Sequence, residues 1–268
     1  MRVAFALGAI LRLKNAPTVT VRSFSSASAG AVAPLAYLAD DSSAFVDEVV
    51  RRLIDGRFIN RLRVHRISDI DYLVDEVLAP LIDLRALSSP GRPELWVALV
   101  DASTGLLRYE RLESRNAMTL LRATMAVPIL YGRKVRFEGA RYVDGGIGDP
   151  LPLHHAMSLA DKADTILTIA TKPLAQLSSH EIGKTERLAI RVDRRIPRVI
   201  RHMLLAPNPL VESTLRTIAR GEAGSLRVVS CEPGDETLDF SRTNTTRTQL
   251  DRLQAAGFKA MSRAIDAI

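Results

Sequence analysis

Residues Thr18 to Leu38 constrain this chain's fold more than any other stretch. Thr18-Val19-Thr20-Val21 is an unbroken β-branched run and reads as a short strand. Ser26-Ala27-Ser28-Ala29-Gly30 is a tight turn of small residues, and Ala31 to Leu38 continues as a helix whose Pro34 lies near its start. A serine at such a strand-to-helix turn stands out of the sheet with its hydroxyl exposed, and its neighbours are held small by the crowded backbone. The usual form is G-x-S-x-G; here Ser26 replaces the first glycine. The stretch has two readings, a nucleophile elbow presenting Ser28 or a serine-rich helix cap.

The rest of the chain alternates strand and helix. Ala4 to Leu13 has the composition of a buried helix closed at Pro17, and Ser43 to Asp55 is amphipathic, with Phe45, Val49, Val50 and Leu53 on one face. Ile70 to Leu78 is a short helix ended by Pro80. Leu95 to Val100 is continuously apolar, as in a strand covered on both faces, and Leu106 to Leu112 pairs back on it. Asn116 to Met125 is helical, and Val135 to Glu138 with Arg141 to Val143 forms a hairpin that delivers Asp144-Gly145-Gly146. Ile166 to Ala170 and Leu226 to Ser230 are further strands, Lys184 to Leu205 is a basic helix broken at Pro197, and Thr248 to Ile268 is a closing amphipathic helix. Alternation of this kind predicts an α/β fold around a mainly parallel sheet. With no repeat, linker or low-complexity tract, the expectation is one domain over residues 1–268.

Composition narrows the function. Of the 268 residues 47% are hydrophobic and 25% charged, which suits a globular protein. The lone Cys231 excludes an intramolecular disulfide and a cysteine-only metal cage, fits a reducing, cytoplasmic setting, and is most simply a core or strand-end residue. A net charge of +7 would suit nucleic acid or an anionic membrane. Aromatic residues at 5%, with no zinc-finger spacing or RNA-recognition signature, argue against nucleic acid. Met1 to Leu11 starts like a secretory signal, but Arg12 and Lys14 end its apolar run far from any small-residue cleavage site. No stretch approaches the roughly 18 apolar residues of a spanning helix.

A serine hydroxyl needs a base, and a carboxylate within hydrogen-bond reach can serve. Asp144 is the candidate, with Gly145 and Gly146 leaving it uncovered; Asp-Gly-Gly is also a common turn. Taken together the motifs resemble those of the patatin-like phospholipases, specifically their bacterial members. Ser26 to Gly30 resembles the family's G-x-S-x-G, Arg141 to Gly146 its D-G-G/A segment, Ala123 to Pro128 its A-S-x-A-x-P stretch, and Asp149-Pro150-Leu151-Pro152 the continuation after the aspartate. Asp71 to Leu84 and Gln249 to Ala260 are also similar, so the resemblance covers nearly the whole chain.

The resemblance implies a three-layer fold, helices on both faces of the sheet, and a Ser28/Asp144 catalytic dyad that hydrolyses phospholipid or other acyl esters through an acyl-enzyme. It implies no metal and no cofactor. Arg2 to Leu11 is similar to the segment that continues from the family's oxyanion loop, G-G-G-x-R-G, with Arg2 in the arginine position and Val3 where the last glycine stands. The chain starts inside that motif. This raises two expectations: a start shortened relative to the working gene product, or a catalytically impaired member that binds lipid or an anionic membrane surface. Lys184 to Arg201 reads as a basic amphipathic helix suited to peripheral membrane contact, or simply as a solvated face. His154 and His155 leave a third reading open, a Ser-His-Asp esterase.

Overall fold

The computed structural model describes residues 2–60, 62–63, 66–177, 183–234 and 246–268. It opens on helix α1 (Val3–Lys14), whose residues Val3 to Ile10 are all buried, in keeping with their apolar run. Strand β1 is Ser23–Ser26, so Thr18 to Val21, the expected strand, lies outside the ladder. Pairing begins where the Arg22 carbonyl accepts from the Glu94 N–H at 3.0 Å. The residue before Glu94 is Pro93, which has no N–H to extend the ladder backwards.

A single 3₁₀ turn, Ser28–Ala31, leads into α2 (Val32–Leu38). Helix α3 (Ser42–Leu53) is capped by Asp41, whose carboxylate accepts from the Ala44 N–H. Tyr72–Leu78 is a π-helix that ends in a 3₁₀ turn carrying Pro80. Then come β2 (Glu94–Asp101), β3 (Leu107–Arg111), α4 (Ala117–Thr124), β4 (Val135–Phe137), β5 (Ala140–Asp144), α5 (Leu153–Leu159) and β6 (Thr165–Ile169). The basic segment forms α6 (Lys184–Val192) and α7 (Arg198–Leu205), separated at Pro197 as expected. Helix α8 (Pro209–Arg220), strands β7 (Glu222–Ala223) and β8 (Leu226–Cys231), and helix α9 (Arg247–Asp266) complete the described chain.

The strands form two mixed sheets. Parallel pairing, expected to predominate, is confined to β1 with β2 and β6 with β8. Short connections make the remaining neighbours antiparallel: β2 with β3, β4 with β5, and β7 with β8, while β5 returns antiparallel onto β2. Trp96 and Val97 pair with both β1 and β3, and Leu99 and Val100 with both β5 and β3. β1 and β5 therefore share the edge of β2 opposite β3. They approach along it from opposite ends, so that the end of β1 meets the end of β5.

Helices cover both faces, and strand alternation sorts the core between them. Leu95, Val97, Leu99, Leu167, Ile169, Val229 and Cys231 turn toward α1, α2, α3 and α9, while Ile166 and Val228 turn toward α5 and α8. Val100 and Val143 pack under Ile196 and Ile200 of the α6–α7 segment. α1 and α9 touch backbone to backbone. A Cβ on Gly8 would stand 1.9 Å from the Gln254 carbonyl oxygen, and one on Gly257 1.9 Å from that of Phe5.

Candidate active site

Immediately beyond the end of β1 the chain enters a conformation that L-residues avoid. Ser28 has φ +54°, one of two non-glycine residues with positive φ among those described. The surrounding bonds hold it there. Its N–H donates to the Thr124 hydroxyl at 3.0 Å, and that hydroxyl donates to the Ala98 carbonyl at 2.8 Å. Thr124 is fully buried at the end of α4, inside the Ala123 to Pro128 stretch, where the motif's serine stands. Its supporting role is not legible in the sequence, because it depends on how α4 docks on β2.

The head-to-head meeting of β1 and β5 brings the two expected residues together. Ser28 Oγ donates to Asp144 Oδ2 at 2.5 Å, and the Gly146 N–H donates to Asp144 Oδ1 at 2.7 Å. The carboxyl is buried, which raises its pKa from the ordinary 3.8 to about 7; the two hydrogen bonds oppose that rise without cancelling it. Both carboxylate oxygens are thus occupied, and the carboxyl changes protonation near neutral pH, where a general base works best.

The small residues divide by role. A Cβ on Gly145 would fall 1.9 Å from the Ala98 carbonyl oxygen, so only glycine fits where the chain turns away from β2. A Cβ on Gly146 would meet Asp144 Oδ1 at 3.0 Å and Ser28 Cβ at 3.5 Å, crowding the hydrogen-bonded pair. Ser26 donates its hydroxyl to the Trp96 carbonyl at 3.1 Å. Gly30 is different: nothing lies within 4 Å of where its Cβ would be, so the expected crowding does not apply there.

The histidines go elsewhere. His155 Nδ1 is 2.8 Å from Ser25 Oγ, and its ring stacks on Tyr109 at 4.0 Å between centroids. Burial lowers its pKa, which favours the neutral ring. His154 faces Ser213 and Thr214 on α8. The Tyr109 hydroxyl donates to buried Asp149 at 2.5 Å, and Asp149 also accepts from the Leu151 N–H, which anchors the loop after Asp144. Cys231, at the end of β8, is buried and its thiol is pushed up to about 12, so it is held as the unreactive thiol.

Ser28, Asp144 and Gly146 stand on the wall of a cavity of about 930 Å³, which Arg2 and Val3 also line. On the outer surface Lys184, Arg187, Arg191, Arg194, Arg195 and Arg198 are exposed beside exposed Leu188 and Val192, whereas Arg201 folds back onto the Asp193 and Ile196 carbonyls. Among the described residues no group of His, Cys, Asp and Glu is arranged to hold a metal ion, and no helix is long and apolar enough to cross a membrane.

A neighbouring fold is found in VipD from Legionella pneumophila, with a TM-score of 0.56 at 13% identity; the match covers 99% of this chain and 65% of that one. By sequence, the chain is 26% identical over 152 residues to the uncharacterized protein YjjU of Escherichia coli K12, a stretch that covers 54% of this chain and 42% of that protein. The chain thus matches less than half the length of that curated relative. The model of the patatin-like phospholipase family matches residues 1–157, the span from α1 through β5 into α5 that carries both Ser28 and Asp144. By that match the chain belongs to the patatin-like phospholipases.

Proposed function

We propose that this chain is a serine acyl hydrolase acting on carboxylic esters of lipids through Ser28 and Asp144. The observation that carries the reading is the 2.5 Å bond from a serine held at positive φ to a buried carboxylate. Ser28 Oγ attacks the ester carbonyl carbon while its proton passes to Asp144 Oδ2. The tetrahedral adduct collapses, the C–O bond to the alcohol breaks, and the same proton goes to the leaving oxygen. Water then repeats the cycle: Asp144 takes its proton, hydroxide adds to the acyl carbon, and the proton returns to Ser28 as the acid departs. Membership of the family supports a lipid substrate. The exposed arginines of α6 and α7 with Leu188 and Val192 support docking on an anionic bilayer.

The test is turnover of a medium-chain p-nitrophenyl ester and of phospholipid vesicles by the parent, Ser28→Ala and Asp144→Asn chains, with fluorophosphonate labelling of Ser28 as a second readout. Turnover and labelling in the parent, with turnover lost on the order of 10⁴-fold in both variants, is the expected result. A parent that binds lipid yet neither labels nor turns over sinks the hydrolase reading in favour of a binding protein.

A further inference from the structure

The turn that follows Asp144 is short of backbone partners. Gly145–Ile147 forms a single 3₁₀ turn, and the N–H groups of Gly148 and Asp149 both donate to the Gly145 carbonyl, at 3.0 and 2.9 Å. A helix continuing from there would offer the carbonyls of Ile147 and Gly148 the N–H groups of residues 150 to 152. Pro150 and Pro152 have none, and the Leu151 N–H donates to Asp149 Oδ1 at 3.1 Å instead. Gly148 is buried, so its carbonyl has to find a donor inside the protein.

That donor comes from Asn208, 60 positions further along the chain. Asn208 Nδ2 donates to the Gly148 carbonyl at 2.7 Å and to the Ile147 carbonyl at 3.3 Å, while Oδ1 accepts from the Leu210 N–H at 3.0 Å and caps α8. Only this orientation of the amide fits: turned over, it would set its oxygen against two carbonyl oxygens and its NH₂ against an N–H. The mount is stiff. Pro207 and Pro209 flank Asn208, and a residue before proline is confined to extended backbone, where Asn208 sits at φ −95° and ψ 110°. Behind it α8 buries Thr214 and Ile218, the latter packed with Leu153, Ile166 and Val228.

The same turn is held elsewhere by Tyr109 of β3, which bonds Asp149, and by the Ala98 carbonyl of β2, against which Gly145 rests. Between these anchors lies Gly146, whose N–H donates to Asp144 Oδ1. Ala98 and Tyr109 belong to the span that the family model matches, residues 1–157, and Asn208 lies beyond it. We propose that Asn208 is a positioning residue for the hydrolysis: from the start of α8 it fixes the turn after Asp144, and with it the Gly146 N–H that meets the carboxyl. Its catalytic consequence rests on the hydrolase reading; its hold on the turn does not. The Gly146 bond favours the ionised carboxyl, so loosening it raises the pH at which Asp144 gives up its proton.

The test compares the parent with Asn208→Ser and Asn208→Thr. A hydroxyl still caps α8, so both variants keep the helix, but one short O–H replaces the NH₂ that reaches the two carbonyls. Gly221→Ala, which strains the left-handed end of α8 at φ +71° and leaves the turn alone, is the control for stability. The readouts are amide exchange at Gly146, the titration midpoint of the Asp144 carboxyl by ¹³C NMR, assigned by its absence in Asp144→Asn, and kcat and KM for the p-nitrophenyl ester. In both Asn208 variants Gly146 exchange should rise at least about tenfold and the carboxyl midpoint should move up by at least about half a pH unit. In both, kcat should fall about 10- to 100-fold with KM near the parent value. Gly221→Ala should lower Tm and leave the midpoint and kcat at the parent values. Asn208 variants with parent-like exchange and midpoint, a displaced midpoint with kcat unchanged from an active parent, or the same changes in Gly221→Ala would each overturn the proposal. An inert parent whose Asn208 variants still show the displaced exchange and midpoint would overturn the hydrolase reading and uphold the hold of Asn208 on the turn.

Discussion

Asp144 holds its proton more tightly in the folded chain than an unfolded aspartate does, with a pKa of about 7 against 3.8. Between those values the folded state binds a proton that the unfolded state has released. The stability this group contributes is therefore fully present below about pH 4 and is lost as the pH rises toward 7. Asp144→Asn removes the titration, so its Tm advantage over the parent should grow between about pH 4.5 and pH 8 in thermal melts. Under the proposed mechanism the parent's kcat/KM should climb through about pH 7 and level off above it, because there only the ionised carboxylate accepts the serine proton. Ser28 and Asp144 are both marked in the sequence because each sits in a local pattern of small residues. Thr124 is not, because its bonds to Ser28 and Ala98 join positions 96 and 26 residues away. Gly30 is less crowded than its place in the turn implies, since the pattern that marks the turn does not say which of its small residues lacks room.

At the scale of elements, the connection from β5 into the loop after Asp144 works through one contact, Gly145 against the Ala98 carbonyl. Gly145→Ala should lower the midpoint of denaturant unfolding by the equivalent of about 1–3 kcal/mol, in the range of an overpacked core position, and misplace Asp144. Gly30→Ala, with open space around it and no positive φ, should change the midpoint little. Urea titrations of the two variants beside the parent check both. Helix and strand identity is largely legible from periodicity, as α1, α3, β2 and α9 show. Boundaries are less so. The β-branched run Thr18 to Val21 has strand propensity, but a strand exists only where a partner offers groups, and β2 begins at Glu94. Helix α8 is missing from the expected elements although its signals are present, Asn208 capping Leu210, Pro209 at the first turn and Gly221 in the left-handed region at its end.

For the molecule as a whole, the +7 charge is not spread evenly, and the exposed arginines of α6 and α7 lie beside exposed Leu188 and Val192. Vesicle co-sedimentation should show binding to anionic vesicles over zwitterionic ones, weakening as salt is raised. The double variant Arg187→Glu, Arg191→Glu should reduce that binding by at least about tenfold, at roughly 1 kcal/mol per basic residue near the surface, while turnover of the soluble ester stays at the parent level. Binding to a lipid surface and ester turnover are thus separable by experiment. Ser28 and Asp144 are 116 positions apart in the chain, yet what sets their separation is the count of residues along β2 between the stations where β1 and β5 attach, Val97 and Leu99. β2 acts as a gauge block. Insertions in the exposed turns between Ser28 and Asp144, such as the one at Gly139, leave the setting alone, whereas one residue added at Ala98 would open it by about 3.3 Å, a full strand step, and part the Ser28 hydroxyl from the carboxyl it donates to.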